Sequence, residues 1–557
     1  MTDPTLEHLH SPEDSRIFPV LTDEQIERMT AHGQTRAVEP GEVLVEPADP
    51  RPSLFVVLEG RLRIVRPSEP SEKPVAELRP GQFSGEVNLL SGRRGLFRIR
   101  ALGGGRVLQV ERERLVSLVQ TDTELGEILL RAFILRRVEL IGRGEGSLVV
   151  VGSHHSAGTL RAREFLTRNG VPFSYLDLDR DAEVQGLLDR FQVEASEIPV
   201  ILCGGNRILR NPSPARIAEC LGLNQAIDPA PLRDLVVVGA GPAGLAAALY
   251  GASEGLDVLV IEAESPGGQA GASSRIENYL GFPLGISGLE LSARAYTQTQ
   301  KFGAGVLVAR RATRLRGTRA PYVLETDAGD LVRARTVLIA TGAEYRRLPL
   351  HDLARFEGAG VYYGATQVES QLCRGEEVIV VGGGNSAGQA AVFLAQTVAR
   401  VHLLVRGQGL VETMSRYLIR RIEQNPVIEL RPRTEVTALE GNGSLQRVHW
   451  RERPSGKSEA RDIAHLFVMA GAVPNTHWLE GGVAVDGHGF IRTGSDLSPE
   501  ELASARWPLS RPPYHLETTL PGVFAVGDVR GGSIKRVASA VGEGSIAISL
   551  IHQVLRG

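Results

Sequence analysis

Two glycine-rich segments have the residue types and spacing that bind the phosphates of a dinucleotide. The first, Gly239-Ala240-Gly241-Pro242-Ala243-Gly244, follows the apolar run 235–238 and precedes a helical pattern over 245–254. Glycines at this spacing allow a tight turn, close approach of a pyrophosphate and close packing of helix on strand. The free N–H groups of a helix N-terminus also attract phosphate. Glu262 ends the next apolar run, where a carboxylate accepts the ribose hydroxyls.

The second segment, Gly382-Gly383-Gly384-Asn385-Ser386-Ala387, follows another apolar strand pattern at 377–381. Here the position that corresponds to Glu262 is Val405, and Arg406 follows it. Loss of the acid and gain of a guanidinium favour the 2′-phosphate of NADP over NAD. The alternative is that Arg406 is a solvated loop residue. The sequence therefore predicts an NADPH site, with NADH as the less favoured donor, formed by Gly382, Gly384, Asn385, Ser386, Ala387 and Arg406.

Further motifs follow the first turn in order along the chain. They are Gly267-Gly268-Gln269, the loop 275–283, the strand pattern 337–343 and the run 521–530. Together with the two turns, these runs cover nearly all of 234–550 and resemble the low-molecular-weight thioredoxin reductase family. The resemblance implies a flavoprotein oxidoreductase that holds FAD tightly, exchanges NADPH and assembles as a homodimer.

The resemblance also implies roles for individual residues. Asp528 would bond the ribityl chain of the flavin, Gln269 and Asn278 would approach the isoalloxazine ring, and Arg536-Val537-Ala538 would line its pyrimidine side. The FAD site implied in this way comprises Gly239, Gly241, Pro242, Ala243, Gly244, Glu262, Gly268, Gln269, Asn278, Thr341, Gly342, Gly527, Asp528, Arg536, Val537 and Ala538.

The domain order that follows is an FAD-binding domain split around an NADPH-binding domain, both α/β and Rossmann-type. The FAD-binding domain takes 232–345 and 475–557, and the NADPH-binding domain takes 346–474. The chain would cross between them at 341–343 and 470–472.

One departure from that family bears directly on the chemistry. Thioredoxin reductases carry a C-x-x-C pair just before the second nucleotide strand, and here Gly364 and Gln367 stand in the two cysteine places. Cys373 is nearby but alone, and a single thiol does not cycle as an intramolecular disulfide. The resemblance therefore implies the fold, the FAD and the hydride donor, but it leaves the catalytic residues unknown and does not imply disulfide reduction.

The first segment, 15–141, shows short alternating apolar runs separated by glycine and proline, which predict a small antiparallel β-barrel followed by helices. The run Phe83-Ser84-Gly85-Glu86 resembles the cyclic-nucleotide-binding domain. Gly85 and Glu86 match that family, but Gly95 stands where it has the arginine that grips the phosphate, with Arg93 and Arg94 just before it. Either a nucleotide-like ligand binds here, or the barrel is a regulatory or dimerising module without one.

The second segment, 146–224, has a β-α-β-α-β pattern with Ile198-Pro199 before the third strand, and it resembles the thioredoxin/glutaredoxin fold. The usual C-x-x-C is replaced by Ser153-His154-His155-Ser156, and adjacent histidines diverge, so we expect exposed loop residues and no metal site there. Cys203 and Cys220 either form a redox pair or are inert buried thiols. The fold class is thus multidomain: barrel, thioredoxin-like α/β, and two dinucleotide-binding α/β domains.

Composition limits the partners of these 557 residues. The formal net charge is −3, with no basic excess for nucleic acid or an anionic membrane. Three cysteines exclude a disulfide framework and a structural zinc finger. The polar N-terminus has no signal-peptide pattern, so we expect a cytoplasmic protein, and only four lysines against many arginines are typical of GC-rich bacterial coding.

Three functions remain open at this point. In the first, NADPH reduces FAD by hydride transfer and electrons pass to an unidentified acceptor, either a small redox protein or oxygen. In the second, the protein reduces thioredoxin or another disulfide through Cys203 and Cys220. In the third, FAD is structural and the chain is a ligand-gated sensor or scaffold, which very slow or absent flavin reduction would favour.

Overall fold

The computed structural model describes most of the chain, and its elements lie in two compact units. The described residues are 17–47, 49, 52–66, 72–85, 89–90, 97–153 except 143–147, 156–179, 197–203, 207–224, 227, 230–273 and 275–556. The first unit draws on Met1–Gly152, Asn169–Ala226 and Thr297–Gly303, and the second on Ser153–Arg168, Ile227–Tyr296 and Ala304–Gly557.

The helices and strands are numbered in chain order over the described residues. The helices are α1 (Asp23–Thr30), α2 (Arg112–Thr121), α3 (Thr123–Gly142), α4 (Ala157–Arg168), α5 (Pro214–Leu221), α6 (Pro242–Ser253), α7 (Gly268–Gly271), α8 (Gly288–Lys301), α9 (Leu353–Phe356), α10 (Gln367–Leu372), α11 (Asn385–Leu394), α12 (Arg416–Glu423), α13 (Pro499–Ser504) and α14 (Val537–Arg556). The strands of the first unit are β1 (Gln34–Val38), β2 (Val43–Val45), β3 (Leu54–Glu59), β4 (Leu62–Arg66), β5 (Lys73–Leu78), β6 (Arg98–Ala101), β7 (Gly105–Val110), β8 (Leu148–Gly152), β9 (Phe173–Asp177), β10 (Val200–Cys203) and β11 (Arg207–Arg210). Those of the second unit are β12 (Leu232–Val238), β13 (Val258–Ile261), β14 (Gly305–Leu307), β15 (Ala312–Arg316), β16 (Tyr322–Thr326), β17 (Leu331–Ile339), β18 (Ala343–Tyr345), β19 (Val361–Tyr362), β20 (Glu377–Val381), β21 (Arg400–Val405), β22 (Ile428–Pro432), β23 (Thr434–Glu440), β24 (Arg447–Glu452), β25 (Ser458–Arg461), β26 (His465–Val468), β27 (Ala472–Pro474) and β28 (Val523–Ala525).

The first strands of the chain form two antiparallel sheets, ordered β1-β7-β3 and β2-β6-β4-β5. Strand β3 is an unbroken apolar run because both of its faces are covered. Phe55 and Val57 lie in the core between the sheets. Leu54 and Val56 belong to a second core that includes residues of α2 and α3. This arrangement agrees with the predicted barrel and trailing helices.

A separate sheet of the first unit is ordered β11-β10-β8-β9, with β8 and β9 parallel and the other pairs antiparallel. The Ile198–Pro199 peptide that precedes β10 is cis. The second helix of the β-α-β-α-β pattern and the histidines His154 and His155 lie outside the described residues, so the likeness to a glutaredoxin-like domain stays a prediction.

The second unit contains two nucleotide-type sheets. In the first sheet, the strands β14, β13, β12 and β17 are parallel neighbours in that order, and β28 also pairs parallel with β17. Strand β16 pairs antiparallel with β17, and β15 follows β16 as a further antiparallel strand. Strand β17 alternates buried and exposed residues where it pairs with β16, and it becomes continuously buried where it lies between β12 and β28. The second sheet, β19-β26-β20-β21-β22, is parallel throughout, as βαβ crossovers require.

The long helix α14 covers the first of these sheets. By length and composition it is the one helix among the described residues that could cross a membrane. Ala540, Ala547 and Ile548 on one of its faces pack in the same core as Ala243 and Ala247 of α6. That packing assigns α14 to the core of the first nucleotide domain.

The two chain crossings between the nucleotide domains pair with each other. Strands β18 and β27 form an antiparallel ribbon, with Ala343 opposite Pro474. The hydroxyl of Thr341 donates to the carbonyl of Asn475 at 2.8 Å, and the side-chain amide of Asn475 donates to the carbonyl of Thr341 at 3.0 Å. The crossings predicted at 341–343 and 470–472 therefore lie side by side.

Candidate functional site

The first glycine-rich turn connects β12 to α6 and has no room for side chains at two of its glycines. Gly239 has φ +104°, and a Cβ there would lie 2.3 Å from the carbonyl oxygen of Ala340. A Cβ on Gly244 would lie 1.9 Å from the carbonyl oxygen of Gly239. At Gly241, by contrast, a Cβ would meet no atom within 4 Å. The backbone is thus tightly packed at Gly239 and Gly244 and open at Gly241, as pyrophosphate binding at a helix N-terminus requires.

Glu262 lies at the end of β13, buried against this turn. One carboxylate oxygen accepts the backbone N–H of Ala240 at 2.6 Å, and the other accepts the N–H of Glu264 at 2.9 Å. Burial raises the pKa of Glu262, and these two N–H groups oppose that shift. A carboxylate fixed in this way has further lone pairs for ribose hydroxyls.

Gly527 and Asp528 follow β28 and come close to the first turn of α6. A Cβ on Gly527 would lie 3.0 Å from the Cβ of Ala243. The Gly527 N–H donates to Glu543 at 2.7 Å, and Arg530 forms a buried ion pair with the same carboxylate at 2.6 Å. Burial raises the pKa of Asp528, whereas the nearby Lys535 lowers it. Asp528 therefore follows a glycine that packs on the first turn of α6, and its role toward a flavin stays a prediction.

The remaining predicted flavin residues are spread around this turn. A Cβ on Gly268 would lie 3.1 Å from the Cα of Gly241, which places the start of α7 beside the phosphate turn. The side-chain amide of Gln269 donates to the carbonyl of Ala343. Asn278 is exposed and makes no hydrogen bond with the described part of the chain. Arg536, Val537 and Ala538 lie at the start of α14 and retain exposed surface.

The second glycine-rich turn connects β20 to α11. Asn385 begins α11, and its side-chain oxygen accepts the N–H of Ser415 at 2.8 Å. The hydroxyl of Thr413 donates to the carbonyl of Gly383 at 2.7 Å. The segment before α12 therefore folds over the turn, a contact that the sequence did not reveal. Ser386 is exposed and Ala387 is buried.

Arg406 follows β21 directly beside the second turn. Its neighbour Val405 is buried, and a Cβ on Gly383 would lie 3.0 Å from a methyl group of Val405. Arg406 itself is exposed and forms no ion pair with the residues that the structure describes. Arg406 thus follows the strand that packs on the second turn, and its role as an NADP determinant stays a prediction.

The segment around Gly364, where the resemblance places a dithiol, lies against the predicted flavin-side loop, defined as residues 272–273 and 275–283. Ala365 pairs with Ser273 in a parallel bridge, and a Cβ on Gly364 would lie 3.7 Å from the Cβ of Ala272. The thiol of Cys373 is fully buried and donates to the carbonyl of Glu369 at 3.1 Å. Burial raises the pKa of Cys373 to about 12, so this thiol stays protonated at neutral pH.

Helix α4 contacts both nucleotide domains of the second unit. Leu160 lies in the same core as Tyr362 and Ala365. The guanidinium of Arg168 donates to the carbonyl of Gly268 at 2.8 Å and lies 3.5 Å from the carboxylate of Glu164. Burial raises the pKa of Glu164 to about 7, and Arg168 opposes the shift. The helical pattern predicted α4, but nothing in the sequence indicated these contacts.

A second contact between the nucleotide domains was also missed. Both carboxylate oxygens of Glu277, next to Asn278 in the flavin-side loop, accept from the guanidinium of Arg421 at 2.7 Å. Arg421 lies on α12, whose apolar residues Leu418, Ile419 and Ile422 are buried. The sequence analysis made no prediction for α12, and nothing in its residues points to the distant glutamate.

In the first unit, Cys203 and Cys220 form a disulfide with a Cα–Cα distance of 6.6 Å. The alternative that Cys203 and Cys220 are separate buried thiols is therefore wrong, since the two cysteines are bridged. Cys203 ends β10 and Cys220 lies on α5, so the pairing depends on how this helix packs on the sheet.

The cyclic-nucleotide-binding-like part is described only partly at its motif. Ser84 is buried, and its hydroxyl accepts the N–H of Phe55 at 2.9 Å. Arg136 of α3 donates to the carbonyls of Phe83 at 3.0 Å and Gly85 at 2.8 Å, which ties the trailing helix to the motif. Glu86, Arg93, Arg94 and Gly95 lie outside the described residues.

Comparison with known families agrees with this geometry. Residues 233–544 match the family described as pyridine nucleotide-disulphide oxidoreductase, which is more than half of the chain. Residues 35–122 match the cyclic nucleotide-binding domain. The resemblances that the sequence suggested for these two regions are thereby confirmed.

Individual relatives are similar over the same part of the chain. NADPH-dependent thioredoxin reductase 3 of Arabidopsis thaliana is 31% identical over 62% of this chain and 64% of its own length. Thioredoxin reductase of Bacillus subtilis is 30% identical over 57% of this chain and 93% of its own. Thioredoxin reductase of Mycolicibacterium smegmatis is 30% identical over 57% of this chain and 94% of its own.

Solved structures give the same result. The crystal structure of T. acidophilum thioredoxin reductase aligns with a TM-score of 0.52 and 27% identity, over 58% of this chain and 99% of that one. Thioredoxin reductase of Lactococcus lactis aligns with a TM-score of 0.52 and 26% identity, again over 58% of this chain.

Proposed function

Because the chain belongs to the pyridine nucleotide-disulphide oxidoreductase family, we propose that it is an NADPH-dependent flavoenzyme whose electrons leave the flavin for a separate acceptor. Its relatives of the thioredoxin reductase type use FAD and NADPH. The observation that supports the proposal most is the presence of two complete nucleotide turns in one compact unit, with an acid after the first and an arginine after the second.

The residues at the first turn fit FAD. The backbone is tightly packed at Gly239 and Gly244, whereas the space beside Gly241 is open. Two backbone N–H groups hold the carboxylate of Glu262 at the end of β13. Asp528 follows Gly527, which packs against Ala243 in the first turn of α6. In this proposal the turn binds the pyrophosphate, Glu262 binds the ribose and Asp528 orients the ribityl chain.

FAD, when bound, supplies the two-electron chemistry that lets a hydride donor serve one- or two-electron acceptors. The protein contributes position: the second turn holds the NADPH pyrophosphate and Arg406 favours its 2′-phosphate. No side-chain acid or base is required for hydride transfer itself. The segment at Gly364 and Ala365 contacts the flavin-side loop but carries no thiol, so in this proposal the acceptor is not reduced there.

The test is an anaerobic titration of the flavin-loaded protein with NADPH and then with NADH, followed at the flavin absorption band. We expect stoichiometric bleaching by NADPH at lower concentration than by NADH. A flavin that stays oxidised with both donors would contradict the proposal and favour a sensor in which the flavin is structural.

We further propose that the region matching the cyclic nucleotide-binding domain takes a nucleotide-like ligand. Calorimetry with cyclic AMP, cyclic GMP and ATP on the full chain tests this proposal. Heat of binding with any of them supports a ligand-bearing domain, and no heat with all of them favours a module that acts without such a ligand.

A further inference from the structure

The Cys203–Cys220 disulfide lies at the end of the sheet β11-β10-β8-β9. Cys203 is the last residue of β10, and Cys220 is near the end of α5. Their Cα atoms are 6.6 Å apart, inside the range over which protein disulfides form. Helix α5 is well defined at both ends, because Ser213 caps its start and Gly222, with φ +60°, ends it.

The two bridged cysteines differ in burial. Cys203 is 3% exposed, whereas Cys220 is only half-buried. Side chains alternate along a strand, so Cys203 shares its face of the sheet with Ile201. Ile217 and Ala218 of α5 are buried as well. Thiol–disulfide exchange depends on which sulfur an attacking group can reach, and Cys220 is the cysteine with the larger exposed fraction.

Cys203 has an arginine as its cross-strand partner. In the antiparallel pairing of β10 and β11, Cys203 is the partner of Arg207, and paired residues point to the same face of the sheet. Arg207 is exposed and forms no ion pair with the residues that the structure describes. A nearby guanidinium stabilises a thiolate, which is the reactive form of cysteine. Arg210, at the other end of β11, is instead paired with Glu197 at 2.9 Å.

We infer that the Cys203–Cys220 disulfide is redox-active and takes up electrons that NADPH delivers to this enzyme, so that Cys220 is the thiol that then reduces disulfides. The inference rests on the proposed function, which supplies the reductant. In the first step NADPH, one proton and the Cys203–Cys220 disulfide yield NADP⁺ and two thiols. In the second step the Cys220 thiolate attacks a substrate disulfide, Cys203 displaces the mixed disulfide, and two substrate thiols leave as the bridge re-forms.

This assignment places a redox-active cysteine pair outside the segment where Gly364 and Gln367 stand in the usual cysteine places. The third cysteine does not replace Cys203 or Cys220, because Cys373 is fully buried in the core of the second nucleotide domain. Two thiols that close on each other carry two electrons, which matches the two-electron donor.

The first experiment counts thiols in the full-length, FAD-loaded protein. NADPH is added anaerobically, the flavin band is recorded, and the protein is then acid-quenched, unfolded and alkylated for intact-mass measurement. We expect two more alkylated thiols per chain after NADPH than before. The Cys373→Ser variant keeps this gain, whereas Cys203→Ser/Cys220→Ser loses it although NADPH still bleaches its flavin.

The outcomes separate the two proposals. Bleaching of the flavin without a gain in thiols overturns the redox role of the disulfide and leaves the proposed function intact. A flavin that NADPH does not reduce overturns the proposed function together with this inference. Melting temperatures of the oxidised protein and the double variant show whether a loss reflects unfolding.

Turnover with 5,5′-dithiobis(2-nitrobenzoic acid), a small aromatic disulfide, tests the second step. We expect NADPH oxidation with this probe to fall at least tenfold in Cys220→Ser and to be unchanged in Cys373→Ser. In the reduced protein, Arg207→Gln should shift the pH profile of iodoacetamide alkylation upward, whereas Arg210→Gln should not. Equal turnover in Cys220→Ser and the parent protein would contradict the assignment of the nucleophile.

Discussion

The two glycine-rich turns of the second unit have the same backbone design but differ in the residues beside them. At the first turn, Glu262 is buried and held by two backbone N–H groups. At the second, the corresponding position is the buried apolar Val405, and the exposed Arg406 follows. A fixed carboxylate suits ribose hydroxyls, whereas an exposed guanidinium suits a phosphate. The same strand-turn-helix arrangement thus suits two different nucleotides, because different residues follow the next strand in each domain.

The largest effect on nucleotide binding should come from placing a side chain at the middle glycine of each turn, Gly241 or Gly384. Gly241 and Gly384 have extended backbone, with φ −69° and −91°, so a valine at either position is sterically allowed. We expect Gly241→Val to purify with little flavin, with binding at least ~100-fold weaker because the side chain occupies the space of the pyrophosphate. Gly384→Val should keep its flavin and lose reduction by NADPH.

Absorbance at the flavin band per chain and the melting temperature of the apoprotein measure these effects. Stoichiometric flavin in Gly241→Val, or loss of flavin in Gly384→Val, would contradict the assignment of FAD to the first turn and NADPH to the second.

The next largest effect should come from Glu262→Gln. The amide replaces one carboxylate oxygen by a donor, and that donor would face the N–H of Ala240 or Glu264. Loss of hydrogen bonds to a charged group costs about 1.5–3 kcal/mol, so FAD should dissociate roughly 10–100-fold more readily. Fluorescence titration of the apoprotein with FAD measures this change, with the exposed Glu264→Gln as the control. Equal affinity in Glu262→Gln and the parent protein would exclude a ribose contact.

A smaller and more selective effect is expected for Arg406→Ala. Loss of a charged hydrogen bond to the 2′-phosphate should weaken NADPH binding by about tenfold, or about 1.4 kcal/mol, and leave NADH binding unchanged because NADH lacks that phosphate. Arg374→Ala is the matched control, since Arg374 is also exposed but lies before β20, at the opposite end of the sheet. A parallel loss for both nucleotides would show that Arg406 does not read the 2′-phosphate.

The smallest effect concerns the helix that contacts both nucleotide domains. Burial raises the pKa of Glu164 from 4.5 to about 7. The folded protein therefore binds the Glu164 proton more tightly than the unfolded chain does. As the pH rises from about 4.5 through 7, the parent protein should lose stability relative to Glu164→Gln. The effect stays small because over a third of the side chain is exposed.

Urea unfolding of the parent protein and Glu164→Gln at pH 5 and pH 7.5 measures this dependence. Glu290→Gln on α8 serves as the control, because Glu290 lies in an exposed ion pair with Arg294 one helical turn away. An identical pH dependence in the parent and Glu164→Gln would show that Glu164 titrates as a solvated carboxyl.

Features encoded within one strand-turn-helix stretch were predicted well. Strand β20 has its predicted bounds, whereas β12 and α6 each begin three residues before the predicted runs 235–238 and 245–254. Their order and type follow from apolar runs and glycine spacing, because the hydrogen bonds and steric limits involved act between near neighbours in sequence. For the same reason Glu262 was identified before its contacts were known. Asn278 was placed by resemblance, and the structure shows it exposed with no hydrogen bond to the described residues.

What the sequence determined by itself is the chemistry available at each nucleotide turn: the tight backbone, the acid after the first and the arginine after the second. Only the tertiary structure joined Cys203 to Cys220, Arg421 to Glu277 and Arg168 to Gly268. Each of these pairs joins residues from different elements, and their distance is set by how helices pack on sheets. Local propensity governs where a helix begins and ends, whereas burial of its apolar face against a particular sheet decides which distant side chains its remaining residues meet.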